Sequence, residues 1–242
     1  MKNLKKILHQ LSSRPNIIDF LVTLIRLFRS SGIFDGLRTV WNSHGFDYWY
    51  GVDTINVSKK SKLWRERVES KTRINANDSQ SDNVYRIKEA LDNIGNHLDF
   101  NQTIFVDLGC GKGKPMMIAS RYPFYKIIGV ELSYNIANIC KNNIQKMKLQ
   151  CTLIQGCMMD VDWRRHLCDS KRLLIYAFNP TSPDVLTKTI LNILSESGDR
   201  EIYFIYANPL KYFMKEKGYK FEILSKFHKQ GLMTEIYKIY KV

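Results

Sequence analysis

The chain has 242 residues, 44% of them hydrophobic, which suffices for one substantial domain with an appendage. No run of about 18 uninterrupted apolar residues occurs, which argues against a membrane-spanning helix, and the basic start Met1-Lys2-Asn3-Leu4-Lys5-Lys6 lacks the small-residue cleavage site of a secretory signal. The net charge of +14 favours an acidic protein, nucleic acid or anionic lipid as partner, or reflects a composition rich in Lys and Asn.

That charge is lopsided: residues 1–75 carry 14 Lys and Arg against 6 Asp and Glu, and residues 211–242 carry 8 against 3. The five cysteines (Cys110, Cys140, Cys151, Cys157 and Cys168) form no C-x-x-C pair, which argues against structural zinc or an iron–sulfur cluster. No metal site is expected. A reducing cytoplasm fits them best, with a membrane-peripheral location left open by the basic N-terminal region.

In chain order, residues 4–11 and 17–29 look helical, with Ile17, Leu21, Leu24 and Phe28 at helical spacing, either packing on the core or lying on a membrane surface. An aromatic-rich stretch follows at 41–54, then a strongly basic one at 58–73 and a polar linker at 75–83, where the domain boundary is placed. Residues 1–80 thus read as a basic, largely helical extension and 81–242 as the main domain.

From Asp82 onward, helical and strand-like patterns alternate. Val84, Ile87, Leu91 and Ile94 mark a helix leading into a strand at 103–108. Next come a helix (114–121), a strand (127–131), a helix (133–147), strands at 151–157 and 173–178, a helix (183–196) and a strand (201–207). Two last strand-like runs, about 220–227 and 233–241, turn around Gly231. This alternation predicts an α/β fold with a parallel sheet and helices on both faces. The closing hairpin is expected to make seven strands, the last one antiparallel at one edge.

The most informative residues are Phe105-Val106-Asp107-Leu108-Gly109-Cys110-Gly111-Lys112-Gly113. An apolar strand ends in an acid, glycines follow at alternate positions, and a helix opens at Lys114-Pro115. Glycines there let the backbone turn sharply, so that a ligand and the next helix can come close. The loop is G-x-G-x-G rather than the G-x-G-x-x-G of dinucleotide folds. The following strand, Ile127-Ile128-Gly129-Val130-Glu131, closes on a second acid, 24 residues after Asp107. A carboxylate there can accept both hydroxyls of a ribose. Asp107 would repel a pyrophosphate but attract an ammonium group. S-adenosylmethionine has an amino acid at one end and a ribose at the other.

Val106–Gly113 resembles the first motif of class I S-adenosylmethionine-dependent methyltransferases, and Gly129-Val130-Glu131-Leu132-Ser133 resembles the second. Ala177-Phe178-Asn179-Pro180 occupies the place of the fourth. The chain is similar to a group of uncharacterised bacterial-type methyltransferases through Phe46-Asp47, Tyr50-Gly51-Val52-Asp53-Thr54 and Tyr206-Ala207-Asn208-Pro209. Its first two motifs also resemble histone lysine methyltransferases of the disruptor-of-telomeric-silencing type. The resemblance covers about residues 46–54 and 84–225 and implies a Rossmann-like sheet.

The same resemblance implies the roles. Asp107 would hold the methionine amino group, Gly109, Cys110, Gly111 and Gly113 would cradle the carboxypropyl end, and Glu131 would bind the ribose with Leu132 near the adenine. After Gly156 the chain departs from the pattern, with Cys157-Met158-Met159-Asp160 where an acid is usual. Asp160 would then accept the adenine amino group and Met158 cover the ring. Residue by residue, plainer readings stand beside these: Asp107 could cap the helix or pair with Lys112 or Lys114, Cys110 could be a small loop filler, and Met158 core.

Asn179 and Pro180 would line the methyl-transfer pocket as the catalytic pair. Asn179-Pro180-Thr181-Ser182 keeps only the first half of the Asn-Pro-Pro-aromatic motif of amino methyltransferases. An Asn carbonyl can accept from an amine, and a helix cap or turn is the plainer role. Tyr50, Asp53, Tyr206 and Asn208 would border the acceptor by position. The expected function is a methyltransferase whose acceptor is unknown, a protein amine such as lysine being slightly favoured. The alternatives are an NAD or nucleotide-sugar enzyme of Rossmann type and a non-catalytic cofactor-binding module recruited to nucleic acid or a membrane surface.

Overall fold

The computed structural model describes residues 45–55, 82–167, 170–209, 218–229 and 231–242. The helices expected at 4–11 and 17–29, the basic stretch 58–73, most of the linker and Cys168 lie outside them. The chain divides into two compact units, Met1–Phe46 and Asp47–Val242. The second unit holds the sheet, and residues 47–55 fall within it. Among the described residues no helix is long and apolar enough to cross a membrane.

The elements run α1 (Val84–Ile94), a 3-10 turn (Phe100–Gln102), β1 (Thr103–Leu108), α2 (Lys114–Ala119), β2 (Lys126–Glu131), α3 (Tyr134–Lys146), β3 (Thr152–Gln155), α4 (Trp163–His166), β4 (Arg172–Phe178), α5 (Pro183–Glu196), β5 (Glu201–Ala207), β6 (Tyr219–Lys229) and β7 (Leu232–Lys241). They build one seven-stranded sheet in the order β3-β2-β1-β4-β5-β7-β6. The first five strands pair in parallel, and β7 runs antiparallel to both β5 and β6.

Local chemistry explains the boundaries. The Asn83 side chain caps α1 by accepting from the Tyr85 amide at 2.9 Å, and Ser133 caps α3 by accepting from the Ile136 amide at 3.2 Å. Pro183 at the start of α5 lacks an N–H where none is needed. Strands β1 and β4 are buried on both faces, as parallel strands between helices must be. One face (Val106, Val130, Ile175, Ala177, Phe204) forms a continuous core with Trp163 and Leu167 of the α4 region and with Leu186, Ile190 and Ile193 of α5. By alternation Asp107, Gly129, Glu131 and Tyr176 face the other side.

The antiparallel strand is the last one, as expected, but it is inserted between β5 and β6 instead of lying outermost. Strand β7 buries Ile236, Tyr237 and Ile239, whereas β6 exposes Lys220, Glu222 and Lys226. The more apolar strand takes the interior place, and lysines on the outer strand oppose pairing with another chain.

Strand order reverses between β1 and β4. Loops at the carboxyl ends of these neighbours diverge and leave a crevice, the usual ligand position in open α/β sheets. Asp107 and Asn179 stand at its two sides.

Candidate active site

Asp107 lies at the end of β1, 1% exposed, and its Oδ2 has no hydrogen-bond partner. Burial pushes its carboxyl well above the usual carboxylate range, and Glu131 and Asp82 push the same way. The plainer roles for it are not realised. The N-cap of α2 is Gly113, without any side-chain cap bond, and Lys112 pairs with Asp53 at 2.9 Å instead. A buried acceptor left unpaired is costly, and a cationic ligand group would relieve it.

The glycine loop is held at both ends. The Gly109 and Cys110 amides donate to the Val130 carbonyl at 3.0 and 2.9 Å, and the Gly113 amide to the Cys110 carbonyl at 2.8 Å. Gly109, Gly111 and Gly113 all have positive φ (73°, 55° and 87°). A Cβ on Gly109 would sit 2.3 Å from Pro180 Cβ, and one on Gly113 would sit 2.7 Å from Cys140 Sγ. Backbone conformation and space therefore both demand glycine there.

Cys110 is buried in this loop. Its hydrogen bond with the Cys140 thiol, reinforced by burial, pushes its own thiol well up, so it lacks the thiolate character of a nucleophile.

Glu131 closes β2. Its Oε2 accepts from the Gly111 amide and its Oε1 from the Ser133 amide, both at 2.9 Å. These two amides fix the orientation of the carboxylate at the strand end. Leu132 beside it is half-buried, and its carbonyl accepts from Gln155 Nε2 at 3.1 Å. The Gly156 amide donates to the Glu131 carbonyl at 2.9 Å and brings the end of β3 alongside. Beyond that point come the two residues expected at the adenine ring. Met158 is packed into the core cluster with Trp163 and Val130. Asp160 is exposed in a turn where its amide donates to the Cys157 carbonyl at 3.0 Å.

Across the crevice, Asn179 follows β4 with φ 42° and is not the cap of α5, which is Ser182. Asn208 follows β5 with φ 55°. Phe178 and Ala207 are register partners, so the two Asn-Pro turns leave adjacent strands at the same level, both left-handed. Asn tolerates that conformation better than other side-chain-bearing residues. Pro180 touches the glycine loop at Gly109, so acceptor and cofactor sides meet there.

Beneath the site, Asp82 accepts from Arg86 and from the Tyr176 hydroxyl, all three nearly fully buried. The segment 47–55, helical to Tyr50 and turning at Gly51, meets the glycine loop through Asp53. Asp47 accepts from the Thr54 amide at 2.6 Å. Asp53 meets Lys112, and the Arg121 guanidinium lies 5.0 Å from the Tyr50 ring centroid. Asn143 of α3 joins this segment to the loop. It is a functional candidate that sequence reasoning missed, because an Asn among polar helix residues carries no local signal.

Residues 106–198 match the family model for a methyltransferase domain. No curated protein matches the sequence. Among solved structures, the magnesium protoporphyrin IX methyltransferase of Synechocystis, with bound S-adenosylmethionine, is 14% identical at TM-score 0.50, covering 85% of this chain and 95% of its own. An RNA methyltransferase of Salinibacter ruber in complex with S-adenosylhomocysteine is 15% identical at TM-score 0.44, covering 64% and 88%. The first of these likenesses shows the fold, that of Rossmann-like class I methyltransferases. The unpaired Asp107 Oδ2, the glycine cradle and the Glu131 carboxylate at the next strand end fit an aminoacyl nucleoside.

Proposed function

We propose that this S-adenosylmethionine-dependent methyltransferase acts on an amine nitrogen, with a lysine side chain of an acidic protein as the favoured acceptor. The observation that carries this reading is the level pair of Asn-Pro turns at the ends of β4 and β5. Carboxamides at these two positions would offer carbonyl oxygens to the N–H bonds of a primary amine and orient its lone pair. When bound, the cofactor would supply an electrophilic methyl on a positively charged sulfur; the lone pair would attack that carbon in line, the C–S bond breaking to release the neutral thioether and the amine proton passing to solvent.

The chain's own residues supply position and charge. Asp107 receives the ammonium of the cofactor, and its buried setting makes that ion pair strong. The loop from Gly109 to Gly113, with Cys110 as a small filler, accommodates the carboxypropyl end. Glu131 takes the ribose hydroxyls while the Gly111 and Ser133 amides keep its carboxylate oriented. Leu132 flanks the adenine. Asp160 and Met158 have weaker support, one standing exposed and the other sitting in the core. Asn179 holds the acceptor nitrogen, with Pro180 setting the distance to the glycine loop, and the net charge of +14 favours an acidic protein as its carrier.

The test begins with calorimetric titration of S-adenosylhomocysteine, in which micromolar binding is expected. Methyl-labelled cofactor is then offered to separated protein, RNA and lipid fractions. Label recovered as methyllysine, and lost in Asn179→Ala while S-adenosylhomocysteine binding persists, supports the amine reading. Label in RNA or lipid overturns it.

A further inference from the structure

Asn143 is 1% exposed on the inner face of α3, the face that carries Ile136, Ala137 and Cys140. A carboxamide in that place must have all its hydrogen-bonding capacity matched. Its Oδ1 accepts from the Asp53 amide at 3.0 Å. Its Nδ2 donates to the Asp53 carbonyl at 2.9 Å and to the Lys112 carbonyl at 3.0 Å. One side chain thus grips both backbone groups of a residue in the 47–55 segment and one backbone group of the glycine loop.

Neighbouring contacts repeat the connection. Lys146, one helical turn further along α3, donates to the Gly51 carbonyl at 2.8 Å. Lys112, whose side chain is 5% exposed, pairs with Asp53. Lys112 lies between Gly111 and Gly113, and the Gly111 amide is already tied to Glu131. The loop is therefore held from the ribose side by Glu131 and from the opposite side by Asn143.

From this arrangement we infer that Asn143 is a positioning residue: it latches the 47–55 segment to the glycine loop, and cofactor affinity depends on that latch. The inference rests on S-adenosylmethionine being the cofactor. A glycine-rich loop samples many conformations, and a fastening that selects one of them raises affinity by pre-organisation. Coupling of this kind is reciprocal, so cofactor binding must tighten the latch by the same factor. A role in stability alone would show no such reciprocity.

The test uses the full chain and S-adenosylhomocysteine as probe. Asn143→Ala is expected to weaken binding about tenfold, and Asp53→Ala about threefold, with Asp53→Asn recovering part of the loss. In the wild type, the probe is expected to slow amide hydrogen exchange at Asp53 and Thr54 by about tenfold. A folded Asn143→Ala with wild-type affinity overturns the latch, and so does exchange at Asp53 that is indifferent to the probe. Should Asn143→Ala fail to fold, the exchange of the Asp53 amide in the wild type still decides, because that amide donates to Asn143 itself. A wild type that binds no probe while folded sinks the cofactor, and the latch with it, a result distinct from binding that ignores Asn143.

Discussion

The two sides of the crevice are built differently. On the β1–β2 side the loop between Gly109 and Gly113 is fixed by its own amides, by Glu131 and by Asn143, and its acid is buried. On the β4–β5 side two Asn residues in left-handed backbone leave the strands at one level, each followed by proline. The first side is pre-formed for one ligand. The second is a pair of short turns that follow the strand ends. Such a division lets one cofactor serve many acceptors, and it predicts that damage on the two sides will be separable.

Gly109→Ala should break the separation, since this is where the sides touch. With φ at 73° and Pro180 Cβ 2.3 Å from the new methyl, the substitution forces the loop and the Asn-Pro turn apart. A stability loss of about 1–3 kcal/mol is expected, and calorimetry should find neither S-adenosylhomocysteine binding nor any transfer. Asp107→Asn should strike the cofactor side alone. Binding should fall about 100-fold, because a buried charge pair loses one partner. The ligand-free protein should instead become more stable, melting higher by about 2–4 °C for each kcal/mol gained, since the costly buried carboxyl is gone. Asn208→Ala should strike the acceptor side alone. S-adenosylhomocysteine affinity should stay within about twofold while labelling of the protein fraction drops about tenfold or more. A loss of cofactor affinity in Asn208→Ala would show that the sides are not separate.

How much of this was legible in the sequence depends on how far the signals reach. Asp107, the glycines and Glu131 were legible because each is set by its immediate neighbours: an acid closing an apolar strand, then turns that only glycine can make. The alternation of strands and helices was legible from hydrophobic periodicity. Asn143 was not, because its partner Asp53 lies 90 residues away and nothing in Lys141-Asn142-Asn143 distinguishes the buried Asn from a solvated one. The pairing of Asn179 with Asn208 required the register of β4 on β5. Met158 read as either ring cover or core, because a methionine suits both places, and its packing with Trp163 could not be seen from the sequence. The placement of β7 inside β6 depended on comparing the burial of two runs that look alike in sequence.

The smallest expected effect sharpens the comparison within the cofactor side itself. Lys114, 3% exposed at the start of α2, is lowered from 10.5 to about 8 by burial, against the pull of Asp47 and Asp82 and with the push of Lys112. Above pH 8 the unfolded chain holds a proton that the folded chain has released, so stability rises with pH, by about 1 kcal/mol between pH 8 and 9. Asp107 works in the opposite sense. Its folded carboxyl keeps a proton that the unfolded chain loses at 3.8, so stability falls as pH climbs from there through the raised value. Both groups are buried, but only Asp107 is proposed to meet a ligand cation. Denaturation measured across pH should therefore show two slopes in the ligand-free protein. Saturating S-adenosylhomocysteine should abolish the acid-side slope, because the bound ammonium keeps Asp107 ionised, and leave the alkaline slope of Lys114 in place. Lys114→Met should do the reverse. If the ligand flattens both slopes, Lys114 also senses the cofactor, and the charged side of the site extends one turn further into α2.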